Sequence, residues 1–288
     1  MRRMSEPQSS PLEQTIAIVG VGLIGGSLAA AIRQRKLARK IIGVGRNAAR
    51  IEMARTSGLI DVASTDLTVV APQADVMVFC TPVDQVAEGV RLAAGHARPE
   101  CLLTDAGSVK QPICEDLADI HNFIGSHPIA GSHRQGFEAA DGDLFNARTC
   151  VLTPGPEVSM PLLTRLDLFW RSVGMRTVNM TPADHDRALA MTSHLPHVAA
   201  SALAGTLSDQ YRSLTGSGFR DSTRIAAGDP ELWCGILLQN GGPIIAGIDR
   251  LQQQLAAFRH AIANRDSAGI QQLLVSGQQN RLSLDKPY

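Results

Sequence analysis

The stretch Thr15-Ile-Ala-Ile-Val-Gly20-Val-Gly22-Leu23-Ile24-Gly25 decides the fold. A short β-branched run ends in glycine, and an Ala/Leu/Ile segment of helical length follows to about Arg35. In a strand-turn-helix setting the glycines have separate duties. Gly20 permits the tight turn, Gly22 lets the backbone approach a pyrophosphate, and Gly25 lets the helix pack closely on the strand. The N–H groups that open the helix, at Leu23 and Ile24, then face the anion. The same spacing occurs in plain packing turns, so the surrounding order of elements is what favours nucleotide binding.

The next strand-like run, Ile41-Ile-Gly-Val-Gly45, ends where a carboxylate would bind the adenosine ribose of NAD. Gly45 and Arg46 stand there instead. A 2′-phosphate then meets no repulsion and is offered a two-pronged guanidinium donor, so NADP is favoured, with NAD as the alternative. The competing reading of Arg46 is a solvated loop arginine.

Further apolar runs lie at 76–80, 101–104, 123–125, 149–152 and 175–178, with amphipathic stretches between the earlier ones and a helical run at 160–170. Continuous apolar strands alternating with helices predict a parallel sheet covered on both faces, a doubly wound α/β domain over residues 15–180. From Thr181 the pattern is helical only. Thr181 can cap, Pro182 suits the first helical position and Asp184 suits the positive end of the dipole. Asp229-Pro230-Glu231 is a second start signal. Ile244, Ile248, Leu251, Leu255, Phe258 and Ile262 form an apolar stripe, read either as core or as a subunit contact. Residues 181–288 are therefore expected to form a helical domain that holds a homodimer together. Residues 1–14 are expected to be a disordered tail.

The chain has 288 residues, enough for two domains, and its 27 Lys+Arg balance 27 Asp+Glu. No bulk charge recruits nucleic acid or an anionic membrane. Five scattered cysteines show no C-x-x-C spacing, which argues for a reducing compartment and against a metal site. Neither a run of 18 apolar residues nor an apolar leader segment is present, so a soluble cytoplasmic protein is expected. Lysine is absent between Gln111 and Asp285. That removes the base used by the two-domain hydroxyacid dehydrogenases, the nearest alternative enzymes.

Two polar segments follow strand-like runs: Thr104-Asp105-Ala-Gly107-Ser108-Val-Lys110 and Gly125-Ser126-His127-Pro128-Ile-Ala-Gly131. Ligands of open α/β sheets bind at such carboxyl ends. In the helical half stand Ser193-His194-Leu-Pro196-His197 and Phe219-Arg220-Asp-Ser-Thr223-Arg224-Ile-Ala. His194 and His197 lie one helical turn apart; without a third ligand at suitable spacing they read as substrate contacts or core histidines rather than a metal pair. Pro196 removes the donor for the Thr192 carbonyl and predicts a kink.

Taken together and in order, the glycine loop, D-A-G-S-V-K, G-S-H-P-I-A-G, S-H-L-P-H, T-R-I-A and D-P-x-L-W resemble the prephenate and arogenate dehydrogenases of tyrosine biosynthesis, from about Thr15 to at least Leu238. The resemblance implies a Rossmann-like domain followed by an all-helical dimerisation domain, with neither a regulatory ACT domain nor a chorismate mutase. It implies that hydride leaves C4 of a cyclohexadienyl ring for a nicotinamide while the ring loses CO2 and becomes aromatic. By the same resemblance His127 accepts the proton of the C4 hydroxyl, Ser108 hydrogen-bonds that hydroxyl and the imidazole, and Arg224 binds a substrate carboxylate. Arg220, His194, His197 and His133 complete the expected substrate set. Gly20, Gly22, Leu23, Ile24, Gly25, Arg46, Thr81, Pro82 and Ser108 form the expected cofactor set. The competing readings are a helix-capping Ser108, a His127 bonded to a loop carbonyl, and an Arg224 paired with Asp221 or Asp229. Where many prephenate-specific relatives carry an acid two positions after Gly131, this chain has Ser132-His133-Arg134. The substrate is accordingly expected to be prephenate or arogenate. A non-catalytic NADP-sensing dimer is the non-enzyme alternative.

Overall fold

The computed structural model describes residues 12–131 and 134–285. Chain order is β1 (Glu13–Val19), α1 (Leu23–Gln34), β2 (Ala38–Val44), α2 (Ala48–Thr56), β3 (Val62–Ser64), α3 (Leu67–Val70), β4 (Val76–Phe79), α4 (Val83–Ala94), β5 (Leu102–Asp105), α5 (Gln111–Asp116), β6 (Phe123–Pro128), β7 (Thr149–Thr153), α6 (Met160–Val173) and β8 (Arg176–Asn179). One sheet results, in the order β3-β2-β1-β4-β5-β6-β7-β8.

Alternation along each central strand feeds two cores. Ile16 and Ile18 of β1 and Val76 and Val78 of β4 point to one face, beneath Leu28 and Ile32 of α1 and Leu166, Phe169 and Trp170 of α6. Ala17, Val19, Met77 and Phe79 point to the other, beneath Val86 and Val90 of α4 and Ile113 of α5. Both faces being covered is what makes the strands continuously apolar.

Three details depart from the sequence reading. Glu13 and Gln14, expected in the tail, belong to β1: Glu13 is paired by the Arg165 guanidinium, and the N–H groups of Gln14 and Thr15 donate to Asp75. The short strand β3 was not foreseen. Finally, β6 and β7 run antiparallel, with His127 opposite Val151. Among the described residues between them lies a 3-10 turn, Phe137–Ala139, and no crossover helix of the kind a parallel pair requires.

The helical part begins with α7 (Pro182–Leu189), which Thr181 caps through the Asp184 N–H. A π-helical turn, Ala190–His194, leads into α8 (Leu195–Gly205), followed by α9 (Ser217–Thr223) and α10 (Pro230–Gln239), capped by Asp229. The kink expected at Pro196 takes the form of this widened turn, which relieves the clash of the proline ring with the preceding carbonyls. Packing groups the sheet with the helices up to Asn240 and sets the helices from Gly241 apart. Helices α7 and α10 pack on α5 and α4, so they share a unit with the sheet. The second unit consists of α11 (Gly241–Ala263) and α12 (Ser267–Ser283), packed together across a turn in which Asp266 caps α12.

Candidate active site

The glycine loop forms as its sequence requires. Gly20 has φ of 91°, and a Cβ there would stand 2.8 Å from the Cys80 carbonyl oxygen. A Cβ on Gly25 would stand 2.2 Å from the Gly20 carbonyl oxygen. Around Gly22 the space is open, and no side chain caps α1, so its first N–H groups at Leu23 and Ile24 are left for an anion. Beside the loop, the Thr81 hydroxyl is buried without a partner. Pro82 opens α4 and is exposed. These features fit a dinucleotide. Arg46 is exposed just past β2, with no hydrogen bond or ion pair among the described residues.

Next to the loop, the tips of β5 and β6 are locked by a fully buried ion pair. Asp105 accepts from the Lys110 ammonium and from the N–H groups of Gly107 and Ser126, and Lys110 donates in turn to the Ser126 carbonyl. The Ser126 hydroxyl bonds the Thr104 hydroxyl and receives the Trp170 indole N–H. Removing one partner of such a pair costs about 3–5 kcal/mol, so Ser126 is a rigid footing for the residue that follows it.

That residue is His127, 8% exposed. Its Nδ1 lies 2.8 Å from Nε2 of His185, and Nδ1 of His185 lies 2.7 Å from Asp186 Oδ1. The Asp186 carboxylate also accepts the Lys110 and Gln111 N–H groups, each at 2.8 Å, and thereby caps α5. Ser108 therefore does not cap that helix, and it makes no hydrogen bond to His127 among the described residues. Burial, reinforced by His185, Lys110 and His194, holds His127 neutral well below the ordinary imidazole range.

Asn240 extends the network, donating through Nδ2 to the Asp186 carbonyl and lying 3.0 Å from His194 Nδ1. His194 is 1% exposed, and burial lowers its pKa to about 4. The structure thus makes His194 a bonded interior histidine, not an open substrate contact. His197 differs: it stacks on Trp233, with ring centroids 3.5 Å apart and planes 12° apart, and its Nδ1 is buried without a partner. Burial lowers its pKa too. Gly228 closes this corner, since a Cβ there would stand 2.6 Å from Trp233 Nε1.

Arg224 opens a 3-10 turn, Arg224–Ala227, that packs on α8, and it is exposed. It pairs with neither Asp221 nor Asp229 among the described residues; Asp229 caps α10 and accepts from Gln135 instead. Arg220 is exposed and makes one long bond to the Thr215 carbonyl. Neither arginine contacts His127. His133 lies outside the described residues. Among those residues, no group of three His, Cys, Asp or Glu side chains could hold a metal ion.

His185, Asp186 and Asn240 were not singled out in the sequence, and Trp233 appeared there only as the last residue of D-P-x-L-W. The available signal was the adjacent His-Asp pair early in a helix with a recognisable cap.

Comparisons with known proteins identify the family. The family model described as the prephenate dehydrogenase nucleotide-binding domain matches residues 28–179, and the model of the dimerization domain matches residues 181–276. Prephenate dehydrogenase of Bacillus subtilis is 30% identical over 270 residues, covering 90% of this chain and 73% of the relative. Cyclohexadienyl dehydrogenase of Zymomonas mobilis is 30% identical over 279 residues, covering 93% and 95%. The crystal structure of prephenate dehydrogenase from A. aeolicus in complex with hydroxyphenyl propionate and NAD+ has a TM-score of 0.89 at 30% identity, covering 99% of this chain and 100% of that one. Synechocystis arogenate dehydrogenase has a TM-score of 0.81 at 32% identity, covering 94% and 100%. With a glycine loop suited to an anion, a buried histidine at the carboxyl edge of the sheet and both domain models matched, this chain belongs to the prephenate dehydrogenase family.

Proposed function

We propose that the protein oxidises and decarboxylates prephenate or arogenate, with NADP preferred over NAD, and works as a homodimer in the cytoplasm. The observation that carries the reading is His127, a buried neutral imidazole at the carboxyl end of β6, in the sheet that carries the glycine loop. A bound nicotinamide would supply the hydride acceptor for C4. The protein's own residues do the rest. His127 takes the proton of the C4 hydroxyl as hydride departs and returns it to the same oxygen as CO2 leaves and the ring becomes a phenol, so atoms and charge balance. A positioned base of this kind is worth about 10² to 10⁴ in rate.

The unpartnered Nδ1 of His197 and the unpaired Arg224 guanidinium are suited to the substrate's anionic end. The relative crystallised with hydroxyphenyl propionate and NAD+ holds an aromatic ring bearing a carboxylate, the class of molecule this chemistry yields. Gly45 and the unpaired Arg46 support NADP. A dimerization-domain match and the exposed Ile245, Leu255, Ile262, Leu274 and Leu282 support a homodimer through the helical domain. Five unpaired cysteines suit a reducing compartment.

The test is absorbance of the reduced cofactor with purified protein against prephenate and arogenate, each with NAD and NADP. Turnover of at least one acid, faster with NADP, is expected. Tight cofactor binding with no turnover of either acid would overturn the enzymatic reading in favour of a cofactor-sensing dimer.

A further inference from the structure

We infer that His185 and Asp186 are positioning residues for the reaction: they set the tautomer of His127 so that Nε2 is its bare nitrogen, and they share the proton it gains. The inference rests on the role given to His127 above, but it makes a claim about the resting protein that can be tested without turnover.

The argument starts at the end of the relay that cannot donate. An ionised carboxylate only accepts, and the Asp186 oxygens accept from two backbone N–H groups, those of Lys110 and Gln111. The hydrogen in the 2.7 Å contact with His185 therefore sits on His185 Nδ1. A neutral His185 then has its lone pair on Nε2, and the 2.8 Å contact requires that His127 donate through Nδ1. The rings meet edge-on, at 68° between planes, which suits one ring's N–H aimed at the other's lone pair. One tautomer of His127 remains, with Nε2 unprotonated.

The same chain sets where charge goes. When His127 Nε2 takes the hydroxyl proton, its Nδ1 hydrogen can move to His185 Nε2, which leaves the positive charge beside the Asp186 carboxylate. The reverse shift returns the proton through Nε2 to the phenolic oxygen, so no further acid or base is consumed. The charged and titratable groups packed around His127 are Asp105 on β5, Lys110 at the start of α5, Cys150 on β7, His185 and Asp186 on α7, and His194 on the π-helical turn. Asp105 is already engaged by Lys110, and Cys150 is held neutral by burial. Asp186 is thus the carboxylate joined to His127 through a hydrogen-bonded ring.

Two substitutions and one spectrum test this. His185→Gln offers an amide oxygen to His127 Nδ1 but cannot take its proton; His185→Phe offers neither. Nitrogen NMR of the full-length protein labelled with ¹⁵N-histidine should show the His127 hydrogen on Nδ1 in the wild type and in His185→Gln, and a mixture of tautomers in His185→Phe. Turnover should fall about ten-fold in His185→Gln and about 10² to 10³-fold in His185→Phe, with KM within about three-fold. The acid limb of the kcat/KM profile should move in both, because the group that can take the Nδ1 hydrogen of His127 is gone.

A wild-type His127 carrying its hydrogen on Nε2 would overturn the inference. So would variants that keep the wild-type pH profile and kcat and lose only thermal stability. If His185→Phe does not fold, the wild-type spectrum and His185→Gln decide. Should the tautomer be as stated while neither cyclohexadienyl acid turns over, the functional reading fails and the relay stands.

Discussion

At the scale of single residues, placement decides chemistry. A histidine on the surface titrates near pH 6.5 and points where it likes; His127 is buried on a strand whose preceding residue is clamped by an ion pair, and it has one bonded nitrogen. His127→Asn should lower turnover by about 10² to 10⁴ while the dissociation constant for reduced cofactor, read by fluorescence titration, stays near the wild-type value. Unchanged turnover would remove His127 from the base role. Arg46 tests the other end of the cofactor. Arg46→Ala should lower the NADP-to-NAD ratio of kcat/KM by about ten-fold to a hundred-fold, the range expected for one charge-assisted hydrogen bond. An unaltered ratio would make it a solvated loop residue.

The motifs carrying these residues could be read from the chain, since strand ends and glycine spacing are local features. His185 could not be read in the same way. Its role comes from Asp186 meeting the first N–H groups of α5, a contact across 75 residues of sequence.

Elements explain why the site holds its shape. The turn between β1 and α1 packs backbone against backbone, so nothing flexible can yield to an added methyl group. Gly25→Ala should destabilise the fold by about 1–3 kcal/mol in urea unfolding and weaken cofactor binding together with it, because the Cβ would press on the Gly20 carbonyl. Wild-type stability and affinity would show that the helix can back away. The proline in S-H-L-P-H predicted a disturbed helix, and the disturbance is there. That it widens to a π turn, burying His194 and leaving His197 stacked on Trp233, depends on which neighbours wait on each side. The direction of β7 was likewise illegible, because an apolar run reads the same whichever way it pairs.

For the molecule as a whole, four of the seven histidines among the described residues gather in one buried region, and this couples stability to pH. Burial lowers the folded-state pKa of His127, His194 and His197, so below pH 6.5 the unfolded chain binds more protons than the folded one. Stability is therefore full above about pH 6.5 and declines as the pH falls. His194 alone, at about 4, should account for roughly 3 kcal/mol by pH 4. Urea midpoints at pH 7.5, 6 and 5 should fall in that order, and a flat series would mean these rings are charged in the folded state. At the same scale, light scattering should give a mass near twice 30.7 kDa, and Ile262→Glu should shift it toward the monomer. A monomeric wild type would reject the dimer.

What the chain alone determined were those features written in neighbouring residues: the nucleotide-binding turn, the sheet of buried strands, the helical half after Thr181, and the histidine after Ser126. They were legible because steric and hydrogen-bonding rules act over a few residues. Tertiary structure decided the rest: the partner of that histidine, the burial of His194, the packing of α7 and α10 with the sheet, and the reversal at β7. Each of these depends on desolvation and hydrogen bonds between segments far apart in sequence, where many pairings are locally acceptable and only packing selects among them.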